Sequence, residues 1–118
     1  MGNFTTAKAM TFLDIETTHL SPKRSAILEI SIITDWESGS TDVWTTKIKP
    51  KPIEIEFASK EALEICKYNE EDWADAPSFE DVADTIASKL RYGPLIAHNI
   101  SFDISHLASV FERYKYTP

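Results

Sequence analysis

Two carboxylates one residue apart, Asp14 and Glu16, close an apolar run in Met10-Thr11-Phe12-Leu13-Asp14-Ile15-Glu16-Thr17-Thr18. Hard divalent cations such as Mg²⁺ and Mn²⁺ take oxygen ligands, and carboxylates supply them. The aromatic and β-branched content of Phe12-Leu13-Asp14-Ile15 favours a strand. Side chains alternate faces along a strand, so both acids point the same way, with attachment points roughly 6.5–7 Å apart. Such a pair can converge on one small cation or on two. Taken alone, the pair also suits a strand that ends in a solvated acidic turn.

A second stretch, Leu95-Ile96-Ala97-His98-Asn99-Ile100-Ser101-Phe102-Asp103, is again an apolar run ending in polar residues, and a helical pattern follows it. Asp103 falls in the first turn of that helix, where the dipole stabilises a carboxylate by about 0.3–1 kcal/mol. His98 reads as a strand-end histidine hydrogen-bonded to its neighbours rather than as a general base. Asn99 reads as a residue that orients backbone or substrate. Phe102 suits either the core or a stack against a nucleobase, a contact worth about 1–3 kcal/mol. His106 can face the same side as Asp103 and reads as a surface residue. Glu29 sits in the most apolar strand, where a buried acid needs a partner.

The elements that must position these groups follow from periodicity and punctuation. Phe4 to Met10 is a polar lead-in to a strand over Phe12–Glu16. A loop over His19–Arg24 is marked by Pro22 and polar residues. Ala26–Thr34 is almost continuously apolar, which predicts a strand buried on both faces. Glu37–Ser40 is a tight turn, and Val43–Lys49 alternates as a third strand that Pro50 and Pro52 terminate. A short helix is expected over Ala58–Lys67 and an acidic loop over Asn69–Ala76. Ser78 caps a helix with Asp81 as its capping-box acid, and Phe79, Val82, Ala83, Ile86 and Leu90 form its apolar stripe. Gly93-Pro94 stops it. Leu95–His98 is a short buried strand. Ser101 is the expected cap of a last helix with the stripe Ile104, Leu107, Ala108 and Phe111.

With those residues in place, Leu13-Asp14-Ile15-Glu16-Thr17-Thr18 resembles the first motif of the DEDD superfamily of 3′–5′ exonucleases. That group holds the proofreading epsilon-subunit-like, RNase T-like and oligoribonuclease-like enzymes. His98-Asn99-Ile100-Ser101-Phe102-Asp103 resembles its second motif. The resemblance implies an α/β, ribonuclease H-like mixed sheet flanked by helices, as one exonuclease domain over 1–118. It implies two divalent metal ions, Mg²⁺ or Mn²⁺, with Asp14 bridging and Glu16 and Asp103 completing the shells. Two ions roughly 3.5–4 Å apart activate water and stabilise the leaving oxygen of a phosphodiester. Thr17, Thr18, Leu20, His98, Asn99 and Phe102 form the expected substrate contacts. Single-stranded DNA or RNA 3′ ends are the implied substrate, a DNA polymerase is a further partner that the resemblance allows, and replication or repair is the implied setting.

Two departures accompany the match. The first motif of the family continues Thr-Thr-Gly-Leu, and His19 stands at the glycine. Either the loop turns differently or His19 adopts a left-handed conformation. The family's third motif, a fourth acid with a histidine or tyrosine, has no counterpart after Asp103. The expectation is a C-terminally incomplete domain, with a catalytically inactive binding or interaction module as the alternative to an exonuclease.

Composition sets the outer bounds. At 118 residues with 42% hydrophobic content the chain suits one soluble domain. No apolar run approaches the roughly 20 residues that span a bilayer, so no membrane partner is expected. The single Cys66 suits a reducing cytoplasm. Net charge is −7, yet 11 of the 19 acids and only two of the 12 bases lie between Glu54 and Asp84. The motif-bearing remainder therefore holds more bases than acids. This distribution suits an enzyme that holds a few nucleotides and does not suit a long-footprint nucleic-acid binder.

Overall fold

A computed structural model describes residues 8–114. Residues 4–7 of the expected lead-in lie outside the described residues. The first strand, β1 (Ala9–Thr17), alternates as its sequence dictates. Ala9, Thr11, Leu13, Ile15 and Thr17 are buried, while Met10, Phe12 and Asp14 are exposed. It pairs antiparallel with β2 (Ile27–Trp36), which pairs antiparallel with β3 (Thr41–Lys47). Gly39, at φ +99°, makes the turn between β2 and β3. The fourth strand, β4 (Leu95–Ile96), runs parallel to β1, giving a mixed sheet in the order β3-β2-β1-β4.

Among the described residues, a short 3-10 turn over Pro22–Arg24 and five α-helices complete the fold: α1 (Pro52–Glu56), α2 (Lys60–Ile65), α3 (Glu70–Trp73), α4 (Phe79–Lys89) and α5 (Ile100–Arg113). The core joins Leu13, Ile15, Ile30 and Ile32 of the sheet to Phe79, Val82, Ala83 and Ile86 of α4 and to Leu107 and Val110 of α5. Each such aliphatic side chain contributes about 1.5–3 kcal/mol by leaving water. The Ser78–Asp81 capping box is present as expected. Gly93 is fixed by space and by backbone: φ is +86°, and an added Cβ would lie 1.9 Å from the Ala9 carbonyl oxygen.

Several expectations are corrected. β2 is not buried on both faces: Ile30, Ile32 and Thr34 are buried, whereas Glu29, Ser31 and Ile33 are partly exposed. Among the described residues α4 and α5 pack on one face, and the apolar residues on the other raised the run's hydrophobicity without burying it. Glu29 is accordingly no buried acid; it stands between Glu16 on β1 and Lys47 on β3. β4 ends at Ile96, which is exposed. Pro52 does more than end β3, since it opens α1 at a first-turn position where the missing N–H costs nothing. The acidic loop after Asn69 contains α3, capped by the Asn69 side chain, and it buries Trp73. The Trp73 indole N–H donates to the Leu28 carbonyl at 2.9 Å.

The last helix starts earlier than expected. Asn99, not Ser101, is its cap, with its side-chain oxygen accepting from the Phe102 N–H at 3.4 Å. Its buried face is Asp103, His106, Leu107 and Val110, not the expected Ile104, Leu107, Ala108 and Phe111. That rotation places Ile104 and Ala108 in solvent. Two polar side chains inside the stripe hid the true face from an apolar count.

Candidate active site

Asp14 and Glu16 lie on the uncovered face of β1, as the period of two requires. β4 reaches only as far as Phe12, so among the described residues β1 beyond that point has no paired strand on that side. The N-terminus of α5 starts there and carries Asp103 toward Asp14. Asp103 is only 6% exposed. Burial holds its carboxyl above the ordinary range, the charge of Asp14 adds to that, and His106 and His98 oppose it. No hydrogen bond to that carboxyl is found among the described residues. A buried acid facing a second acid without a donor is the situation that a cation relieves.

Glu16 is held differently. The Cys66 thiol, at the end of α2, lies 3.3 Å from Glu16 Oε2 and 3.5 Å from the Thr17 carbonyl. Burial first, and then the hydrogen bond and charge of Glu16, push the Cys66 thiol up to about 12. The thiol therefore stays protonated and donates to Glu16. Among the described residues no group of three His, Cys, Asp or Glu side chains stands ready to hold a metal ion. The donor set is nevertheless all hard oxygen, and the charge of Asp14 already acts on the Asp103 carboxyl.

The loop after β1 turns differently from the glycine form, and His19 keeps negative φ. Its ring Nδ1 accepts from the Ser21 N–H at 2.9 Å, and its carbonyl accepts from Thr17 Oγ1 and from Ser25 Oγ, each at 3.0 Å. Thr18 Oγ1 accepts from the Ala26 N–H at 2.9 Å. Thr17 and Thr18, expected as substrate contacts, are buried, and their hydroxyls are engaged in shaping this loop. Leu20 stands at the crest, 77% exposed. His98 is exposed beside Asp103. Asn99 is occupied in capping, and Phe102 is half-buried against the His106 ring, 4.0 Å between centroids.

His106 overturns its surface reading: it is 0% exposed. Its Nδ1 lies 2.9 Å from the Phe102 carbonyl and its Nε2 lies 3.1 Å from the His19 carbonyl. It pins the loop of the first motif to the helix of the second. The spacing of residues 103, 106, 107 and 110 was the available signal, since it is the helical i, i+3, i+4, i+7 pattern. Nothing near Cys66 in the sequence announced its place beside Glu16.

The family model for exonucleases of the RNase T type matches residues 11–118, and the chain belongs to that family. The fold is the ribonuclease H-like exonuclease fold. Product-bound exonuclease I matches 96% of this chain and 27% of its own, at 17% identity and a TM-score of 0.77. The E. coli exonuclease I complex with a dT13 oligonucleotide matches 94% of this chain and 25% of its own, at 17% identity and a TM-score of 0.76. The cell-death related nuclease 4 matches 77% of this chain and 35% of its own, at 11% identity and a TM-score of 0.57. The chain thus spans about a quarter of the length of exonuclease I. No curated protein sequence matches it.

Proposed function

We propose that this chain is the part of a metal-dependent 3′–5′ exonuclease that carries the acids of the first two motifs, acting on single-stranded DNA or RNA. Asp14, Glu16 and Asp103 are its ligands for two Mg²⁺ or Mn²⁺ ions. The observation that carries this is the buried Asp103 carboxyl set against Asp14 at the open end of β1. Bound ions would neutralise phosphate charge and activate water for attack on the terminal phosphodiester. Asp14 is exposed on β1, and its charge acts on Asp103. Glu16 joins them on leaving the Cys66 thiol. Leu20 packs against the terminal base, and His98, exposed beside Asp103, contacts the substrate. The oligonucleotide held by E. coli exonuclease I supports the choice of a single strand as substrate.

The hydrogen bond that draws Glu16 toward Cys66 favours one second reading, a binding module without turnover. The test is digestion of a 5′-labelled oligonucleotide with Mn²⁺ or chelator, using free and 3′-blocked ends. A metal-dependent ladder that a 3′ block abolishes is expected. Shortening that ignores the block or the chelator would overturn the proposal, and binding without cleavage would favour the second reading.

A further inference from the structure

The loop from Thr18 to Ala26 does not leave the site; it runs alongside α5 from His106 to Arg113. The His19 carbonyl meets His106, the Pro22 carbonyl accepts from Ser109 Oγ at 2.7 Å, and the Ser25 carbonyl accepts from the Arg113 guanidinium. The loop thus follows α5 from His106, three residues past Asp103, to Arg113 at its end. Ten residues of helix separate Asp103 from Arg113, roughly 15 Å at 1.5 Å per residue.

At the far end lies an open groove of about 430 Å³ lined by Lys23, Arg24, Arg113, Ile53, Phe57 and Glu54. Its character differs from the rest of a chain whose net charge is −7. Three cations surround one carboxylate, and that carboxylate is engaged: Glu54 accepts from the Tyr114 hydroxyl at 3.2 Å and from the Lys51 N–H at 2.8 Å. Ile53 and Phe57 present apolar surface to solvent, 57% and 59% exposed. Cations that meet phosphates, interleaved with an exposed ring on which a base can stack, make up a single-strand site.

We infer that this groove binds the phosphodiester backbone of the single strand upstream of its 3′ end, with Lys23, Arg24 and Arg113 on phosphates and Phe57 under a base. The inference rests on the nuclease reading for its polarity, since the 3′ end must sit at Asp14 and Asp103. At roughly 3.4 Å per nucleotide, a 15 Å span is about four nucleotides. A dinucleotide held at the acids cannot reach the groove, and an octanucleotide can.

The test is fluorescence anisotropy of the whole chain with 5′-labelled oligo-dT and oligo-rU of two, four, eight and twelve nucleotides, in chelator, across a NaCl series. The octamers bind more than about tenfold tighter than the dinucleotides, with a log–log salt slope near −2 from three cations at about 0.7 each. Lys23→Glu with Arg24→Glu erases the length preference and flattens the slope by about 1.4. Phe57→Ala weakens octamer binding at least about fivefold with the slope unchanged. All three side chains are exposed, and circular dichroism confirms that each variant keeps the fold. The preferred sugar identifies the strand. Octamer affinity and slope that are unchanged in the double variant overturn the inference, as does an acidic peptide binding here when no oligonucleotide does. Metal-dependent cleavage without length-dependent binding removes the groove and keeps the nuclease; charge-sensitive octamer binding without cleavage does the reverse.

Discussion

His106→Ala is expected to destabilise the chain by about 2–4 kcal/mol. The imidazole is 0% exposed, stacked on Phe102 and placed between the carbonyls of Phe102 and His19. Truncating a fully buried large side chain to alanine costs about 2–5 kcal/mol in transfer and cavity terms, and an imidazole sits toward the lower part of that range. One donated hydrogen bond adds about 1 kcal/mol. The His19 carbonyl keeps its bonds from Thr17 and Ser25, so it is not orphaned and the larger penalty for a buried unpaired group does not arise. For a chain of this size roughly 4 °C accompanies each kcal/mol, so the melting temperature should fall by about 8–16 °C. Thermal unfolding followed by circular dichroism measures this. His106→Gln, which keeps a donor and fills part of the space, should recover part of the loss. A melting temperature within about 2 °C of the parent for His106→Ala would refute the idea that this residue fastens the loop to α5.

Other substitutions test other parts of the site. Asp103 has a folded-state pKa above its ordinary 3.8, so its contribution to stability is present below that value and is lost as pH rises through the raised one. Asp103→Asn should therefore melt higher than the parent at pH 7 without metal, and the difference should vanish near pH 4. Cys66, pushed up to about 12 from 9.0, should react with iodoacetamide at pH 8 roughly a thousandfold more slowly than a free thiol. Burial is the largest cause, so Glu16→Gln should restore only part of that rate. The same raised pKa stabilises the fold below pH 9 and ceases to do so as pH climbs toward 12. Gly93→Ala must place a methyl 1.9 Å from the Ala9 carbonyl oxygen at φ +86°. It should cost more than about 2 kcal/mol, read as a lowered urea midpoint.

Where side-chain type and period agreed, the sequence was readable. The alternation of β1 put Asp14 and Glu16 on one face, and the Ser78 capping box fixed the start of α4. Asp103 in a first helical turn followed from local signals alone. What the chain concealed depends on partners distant in sequence. His106 and Asp103 are polar, so an apolar count rotated α5 by one residue; their burial depends on a loop that begins 87 residues earlier in the chain. Thr17 and Thr18 look like substrate contacts because hydroxyls are versatile, yet their hydroxyls are also engaged locally, by the His19 carbonyl and the Ala26 N–H respectively. Cys66 meets Glu16 across 50 residues, a closure that no local pattern encodes. The basic groove needed the fold as well, because Lys23, Arg24, Phe57 and Arg113 come from three separate segments.

Calorimetric titration of the chain with Mn²⁺, beside Asp14→Ala, addresses the pairing of Asp14 with Asp103 as a cation site. Mn²⁺ should bind the parent, and saturation at a hundred times Kd should add about 2.7 kcal/mol of stability. Binding should be lost in Asp14→Ala, whose metal-free fold should be at least as stable as that of the parent because one of two facing carboxylates is gone. Equal Mn²⁺ binding by the variant, or none by the parent, would contradict the assignment.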